Sequence, residues 1–205
     1  MVERVSALAA IYRPGSFGTI GPDGPDITLA EIRPLATVQV ASRIDEGPAV
    51  RAAIAAALGV APEERTNRAA RSGATAIMWV GPGRWLVVEP EQDDRHLEPL
   101  LRNALAGTQA AVVDLGSGRT TLRVAGARSR DLLAKGSAID FHPRNFAAGA
   151  CAQGLLGHVG ALFHAVDETA VDLHVARSFA QTIWEWLMES AAEYGCRVEP
   201  AHSGR

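Results

Sequence analysis

The chain has 205 residues and a formal net charge of −3, with 47% hydrophobic and 21% charged residues. This composition is typical of a soluble globular protein with a substantial core, and it lacks the dense basic surface that nucleic-acid binding requires. Two cysteines are too few for a disulfide framework. The N-terminus lacks the apolar core of a signal peptide, and no apolar run approaches the ~20 residues of a membrane helix. We therefore expect a cytoplasmic protein.

The first predicted segment is an N-terminal arm over residues 1–26. Its second half is dense in Gly and Pro, which interrupt regular structure. The arm nevertheless carries the apolar side chains Ile11, Tyr12, Phe17 and Ile20. The sequence leaves two interpretations open, because such an arm is either a disordered terminus or a binding element.

Residues 27–107 are predicted to form a first α+β half. The hydrophobic pattern predicts strands, a helix, a β-hairpin and a second helix, in this order: residues 27–41, 49–58, 74–88 and 93–106. Pro48 is suited to the first turn of the first helix, and Gly59 ends it. The hairpin turn is Gly81-Pro82-Gly83.

Residues 108–196 are predicted to form a second α+β half with a similar rhythm, and 197–205 a flexible tail. The predicted elements are two strands, a short helix, a hairpin, a strand and a long helix: residues 110–115, 119–124, 127–135, 149–166, 171–175 and 178–194. Ser178 and Gln181 predict a capping box at the start of the last helix. The expected fold is therefore α+β, with two pseudo-repeated halves of antiparallel strands and packed helices.

The Gly-rich segment 116–118 follows a strand and resembles the start of a nucleotide-binding loop. Position 121 is Thr instead of the third glycine, and a β-type run rather than a helix follows. A tight hairpin turn is therefore the preferred interpretation.

The histidines and one cysteine of the second half are the candidates for a metal site: His142, Cys151, His158, His164 and His174. They lack the close pairs of structural zinc sites. His158 and His164 lie six residues apart on one predicted strand, which is too far to share an ion. No Gly-x-Ser-x-Gly nucleophile elbow is present. We assign no catalytic, cofactor-binding or metal-binding residue.

The last helix is apolar on two faces. Residues recurring at every fourth position are expected to face the core: Phe179, Ile183, Leu187 and Ala191. Trp184 and Met188 lie on a different face, and Trp186 lies ~200° from Trp184 around the helix. The second face is therefore covered either by an internal layer or by another chain.

Apolar and basic side chains alternate along the predicted strand over 119–124. Leu122 and Val124 share one side, and Arg119 and Arg123 share the other. The second side is either an exposed polar face or a surface whose arginines meet acidic groups of a partner. Arg119, Arg123, Trp184 and Met188 are thus our candidate interface residues.

Four segments together resemble one known family: residues 79–87, 118–124, 151–159 (Cys-Ala-Gln-Gly-Leu-Leu-Gly-His-Val) and 176–187 (Ala-Arg-Ser-Phe-Ala-Gln-Thr-Ile-Trp-Glu-Trp-Leu). The chain resembles the gamma subunit of heterotetrameric sarcosine oxidase over roughly residues 3–196. From Arg119 onward, the order of elements is also similar to the folate-binding aminomethyltransferase fold.

The resemblance implies a non-catalytic structural subunit that assembles with alpha, beta and delta subunits. The family's complex demethylates sarcosine oxidatively to glycine, with hydrogen peroxide and methylenetetrahydrofolate, or formaldehyde, as the other products. The resemblance places FAD, FMN, NAD and tetrahydrofolate on the alpha and beta subunits and zinc on delta, and it leaves this chain without a cofactor. The alternative is a stand-alone folate-binding or aminomethyltransferase-like protein.

Overall fold

The computed structural model describes residues 5–33, 35–90 and 96–203. These residues form two compact units that interleave along the chain. The first unit comprises the described parts of 1–32, 118–148 and 153–202, and the second those of 33–117, 149–152 and 203–205. The predicted arm, halves and tail follow one another in sequence, whereas each unit is assembled from segments that are distant in the chain.

The described residues contain thirteen strands and four helices. The strands are β1 Gly15–Phe17, β2 Ile27–Arg33, β3 Leu35–Ser42, β4 Ala69–Ser72, β5 Thr75–Gly81, β6 Arg84–Pro90, β7 Ala110–Asp114, β8 Arg119–Ala125, β9 Cys151–Leu156, β10 Val159–Ala165, β11 Ala170–Ala176, β12 Cys196–Val198 and β13 His202–Ser203. The helices are α1 Gly47–Leu58, α2 Leu97–Ala104, α3 Ser129–Ala134 and α4 Ala180–Ala191. The predicted α+β class is confirmed.

The second unit is a sheet of order β4-β5-β6-β3-β7 with the helices α1 and α2. Its buried core combines apolar side chains of strands and helices, including Val38, Ile77, Val87, Ile54 and Leu101. The predicted hairpin is confirmed, because β5 and β6 pair antiparallel around the Gly-Pro-Gly turn. Helix α1 is also confirmed, and the residue that follows it, Gly59, has a φ of 69°. The second helix, α2, is shorter than the predicted helix over 93–106, and residues 93–95 lie outside the described residues.

The first unit is built on a sheet of order β1-β12-β2-β8-β11-β10-β9, with β13 also paired to β2. Strand β8 pairs antiparallel with both β2 and β11, so it lies inside the sheet. Leu122 and Val124 on β8 are fully buried, as are Leu132 on α3 and Leu187 on α4. The predicted hairpin over 149–166 and the long last helix are confirmed.

The predicted hairpin turn at 116–118 is wrong. Strand β7 before it pairs with β3 in the five-stranded sheet, whereas β8 after it pairs with β2 and β11 in the other sheet. The turn is held locally by the Gly116 amide, which donates to Asp114 Oδ1 at 2.8 Å. Two β-type runs around a short turn indicate strands, but they do not specify which strand edges pair.

The predicted capping box of the last helix is also wrong. A 3-10 turn over Arg177–Phe179 precedes α4, and no side chain caps either element. Gln181 Nε2 instead donates to the Ala7 carbonyl at 3.4 Å. Because a 3-10 turn does not keep the 100° rotation of an α-helix, Phe179 leaves the predicted core stripe and is 49% exposed.

The described part of the N-terminal arm packs against its own unit. Leu8 is fully buried. The Tyr12 hydroxyl donates to the Glu199 carbonyl at 2.6 Å and accepts from the Glu31 amide at 3.1 Å. Ser6 Oγ lies 2.6 and 2.8 Å from the two carboxylate oxygens of Glu31, which is 3% exposed. These contacts tie the segment to β2 and to the residue that follows β12.

Candidate functional site

The four predicted interface residues lie at two places in the first unit. Arg119 and Arg123 are half-buried on β8, and Trp184 and Met188 lie on α4. Their role in subunit contact stays a prediction. The structure shows what each of them contacts within the chain, and these contacts define two candidate sites.

The first candidate site is a polar cluster across β8 and β11. Arg123 lies directly opposite Asp172 in the sheet register. Its guanidinium donates from Nε to Oδ1 at 2.7 Å and from Nη2 to Oδ2 at 2.9 Å, which is a bidentate ion pair. The two side chains are 32% and 11% exposed. Hydrogen bonding to Asp172 is the main cause that raises the pKa of Arg123 above its ordinary value.

Thr121 and His174 form the adjacent cross-strand pair. Thr121 Oγ1 and His174 Nδ1 lie 2.9 Å apart, and the side chains are 4% and 2% exposed. His174 Nε2 is buried and makes no hydrogen bond to any residue that the structure describes. Burial is the main cause that lowers the pKa of His174 to about 4; the charge of Asp172 opposes this shift. His174 is therefore neutral at pH 7.

The cluster is suited to holding strands together rather than to proton transfer. A general base works best when its pKa is near the operating pH and its nitrogen can reach a substrate. His174 has a pKa of about 4 and is almost fully buried. The sequence reasoning missed Thr121, Asp172 and His174 as one cluster. The available signal was the spacing of polar residues: positions 172 and 174 lie on one side of their strand, as positions 121 and 123 do on theirs.

We expect Arg123→Ala to destabilise the chain by about 2 kcal/mol, because it leaves the Asp172 carboxylate largely buried without its partner. Removing one partner of a fully buried ion pair costs ~3–5 kcal/mol, and solvent access at Arg123 reduces this cost. Urea unfolding of Arg123→Ala, Asp172→Ala and the double variant measures the coupling. The double variant should cost less than the sum of the single variants. Strictly additive losses, or single variants that weaken only subunit assembly, would contradict this intrachain role.

The remaining candidate ligands do not converge in the described structure. His158 lies in the turn between β9 and β10 instead of on the predicted strand with His164. Cys151 and Cys196 are free and buried, and burial raises the pKa of each thiol to about 11. Protonated thiols are poor nucleophiles and metal ligands. Among the described residues, no three His, Cys, Asp or Glu side chains are grouped as a metal site.

Trp184 and Trp186, on opposite sides of α4, are both in contact with other parts of the first unit. Trp184 is 3% exposed and stacks in a tilted arrangement on Tyr12, with ring centroids 4.9 Å apart. The ring of Trp186 lies against Gly136, so closely that a side chain at position 136 would overlap it. The N-terminal segment is thus the internal layer that covers Trp184, and no sequence signal linked the two segments.

The second candidate site is an open groove between the N-terminal segment and α4. Its volume is about 360 Å³, and it is lined by Ile11, Arg13, Phe17, Trp184, Glu185 and Met188. The groove therefore joins two features of the sequence, the apolar arm and the second face of the last helix.

No helix within residues 5–33, 35–90 and 96–203 has the length and apolar character needed to cross a membrane.

Comparisons with known proteins identify relatives over most of the chain. The model of the family described as "Sarcosine oxidase, gamma subunit family" matches residues 43–193. The chain is 30% identical to sarcosine oxidase subunit gamma of Arthrobacter sp, over 76% of each chain. It is 28% identical to the protein of the same description from Corynebacterium sp. (strain U-96), over 82% of this chain and 80% of that one.

Solved structures show the same fold. Heterotetrameric sarcosine oxidase from Corynebacterium sp. U-96 contains a chain that matches with a TM-score of 0.81 and 24% identity, over 93% of this chain and 96% of that one. Glycine cleavage system aminomethyltransferase T from Bartonella henselae matches with a TM-score of 0.60 and 14% identity, over 90% of this chain and 53% of that one. The predicted similarity to part of the aminomethyltransferase fold is confirmed.

Proposed function

Because the chain belongs to the sarcosine oxidase gamma subunit family, we propose that it is a non-catalytic structural subunit of a heterotetrameric sarcosine oxidase. In this proposal it assembles with alpha, beta and delta subunits, and the complex converts sarcosine to glycine with hydrogen peroxide and methylenetetrahydrofolate or formaldehyde. The observation that carries the proposal is the family match over residues 43–193, which includes segments of both compact units.

The chemistry of the chain's own residues supports a structural role. His174 is neutral and almost inaccessible, and Arg123 and Asp172 neutralise each other. The glycines at 116–118 lead into strand β8, so they do not present the helix N-terminus on which a dinucleotide loop binds its pyrophosphate. We propose that FAD, FMN, NAD, tetrahydrofolate and zinc are held by the partner subunits. We also place the complex in the cytoplasm, which suits two unpaired buried cysteines.

The purified chain alone is expected to lack oxidase activity and visible flavin absorbance, because neither polar pair described on β8 and β11 is arranged for catalysis. Oxygen uptake with sarcosine as substrate measures the activity, and the chain co-purified with alpha, beta and delta is the positive control. An isolated chain that is yellow and oxidises sarcosine would show that the non-catalytic assignment is wrong.

A stand-alone folate-binding protein is the second candidate, and the likeness to aminomethyltransferase T favours it. The chain spans only 53% of that protein's length, and a likeness of fold does not imply the same ligand. Calorimetric titration of the isolated chain with tetrahydrofolate distinguishes the candidates. We expect no binding heat, and saturable binding would support the second candidate.

A further inference from the structure

The groove between the N-terminal segment and α4 has an apolar lining with a charge on each wall. The apolar residues are Ile11 and Phe17 on one wall and Trp184 and Met188 on the other. Phe17 is 37% exposed although its ring is large and apolar. A concave apolar surface with a polar rim is typical of a protein interaction site.

The two charged residues at the rim, Arg13 and Glu185, form no ion pair within the described structure. Arg13 Nη1 donates to the Tyr12 carbonyl and Nη2 to the Ala10 carbonyl, both at 2.9 Å. These bonds hold the guanidinium in place without neutralising it, since neither acceptor carries a charge. Arg13 and Glu185 make no ion pair with any residue among 5–33, 35–90 and 96–203. A preorganised charge beside an apolar groove favours a ligand that carries the opposite charge next to an apolar group.

We propose that this groove docks a segment of another subunit of the oxidase complex. The segment inserts a large apolar side chain into the groove against Phe17 and Met188, places an acidic side chain at Arg13 and places a basic one at Glu185. The inference rests on the proposed function, and it specifies one surface through which this chain joins the complex. The apolar insertion supplies most of the affinity, and the two ion pairs set the orientation of the segment.

Other occupants fit the groove less well. A lipid chain would leave both charges unpaired in a partly desolvated rim. A second copy of this chain could pair Arg13 with Glu185 reciprocally, but two-fold symmetry would place one concave groove against another and leave it unfilled. A protruding side chain from a different subunit fills the groove and meets both charges.

Co-expression of the tagged chain with alpha, beta and delta tests the proposal through the amounts of the other subunits that co-purify. Met188→Glu places a charge in the apolar lining, and Arg13→Glu reverses an exposed charge at the rim. Ile44→Glu, at a 75% exposed apolar position in the second unit, and Arg144→Glu, at an exposed arginine, are the matched controls.

We expect Met188→Glu to lower the recovery of partner subunits about tenfold or more, with the far-UV circular dichroism of the chain unchanged. Arg13→Glu should lower the recovery strongly at low salt and less at high salt. Both controls should assemble as the wild type does.

Two outcomes would overturn the inference while leaving the proposed function intact. In one, the wild type and both groove variants recover the partner subunits equally. In the other, the variants abolish self-association of the isolated chain in sedimentation but leave the mixed complex intact, which would identify a second copy as the occupant. A wild-type chain that recovers none of the three subunits would instead overturn the proposed function. If Met188→Glu impairs folding, Arg13→Glu still decides between these outcomes.

Discussion

Replacing Trp184 with alanine is expected to destabilise the first unit by about 3–5 kcal/mol, as the loss of a large buried aromatic side chain does. Trp184 is 3% exposed, and its ring packs on Tyr12 with a centroid distance of 4.9 Å. The truncation removes this contact and leaves a cavity beneath the N-terminal segment. Urea unfolding of the isolated chain, followed by circular dichroism, measures the loss.

A local effect should accompany the loss of stability. Tyr12 and Leu8 belong to the segment that Trp184 supports, so the amides of Ile11 and Tyr12, which donate to the Leu8 carbonyl, should exchange hydrogen faster. Trp184→Phe keeps an aromatic partner for Tyr12 and should lose less stability. An isolated Trp184→Ala chain as stable as the wild type would contradict the role of Trp184 as an internal anchor.

The second large effect is a loss of stability in acid that depends on His174. Burial lowers the pKa of His174 to about 4 in the folded chain, against about 6.5 for an exposed histidine. Between these values the unfolded chain binds a proton that the folded chain does not, so stability increases with pH across this window. The stability that comes from keeping His174 neutral is fully present above pH ~6.5. It is on the order of 3 kcal/mol, and it is lost as the pH falls towards 4.

Matched histidine variants isolate this contribution. His174→Asn keeps a polar group in the position of Nδ1, where it can still bond to Thr121, but it cannot be protonated in this range. Its free energy of unfolding should therefore fall less steeply between pH 6.5 and 4 than that of the wild type. His158→Asn makes the same substitution at an exposed histidine in the turn before β10 and is the matched control. Identical slopes for the wild type and His174→Asn would contradict the assignment.

The candidate sites could be predicted from the sequence only in part. The pattern of α4 correctly indicated a second apolar face at Trp184 and Met188, because helical periodicity is visible in any single segment. Arg123 was correctly placed on the side of β8 opposite Leu122. Its partner Asp172 could not be found, because it lies 49 residues away and becomes a neighbour only through the pairing of β8 with β11. Arg13 and Glu185 likewise become neighbours of one groove only when the N-terminal segment packs on α4.

Local sequence patterns were sufficient to predict the features that depend on backbone geometry: the α+β class, helix α1 with its end at Gly59, the β5–β6 hairpin and the long last helix. Each of these follows from residue periodicity and turn chemistry within about 15 residues. The three-dimensional fold specifies which strand edges pair, so that β7 and β8 enter different sheets although only four residues separate them. It also specifies that His174 is buried and that the N-terminal segment covers Trp184. Burial and strand pairing arise from contacts between residues distant in the chain, and local patterns do not encode which distant segments meet.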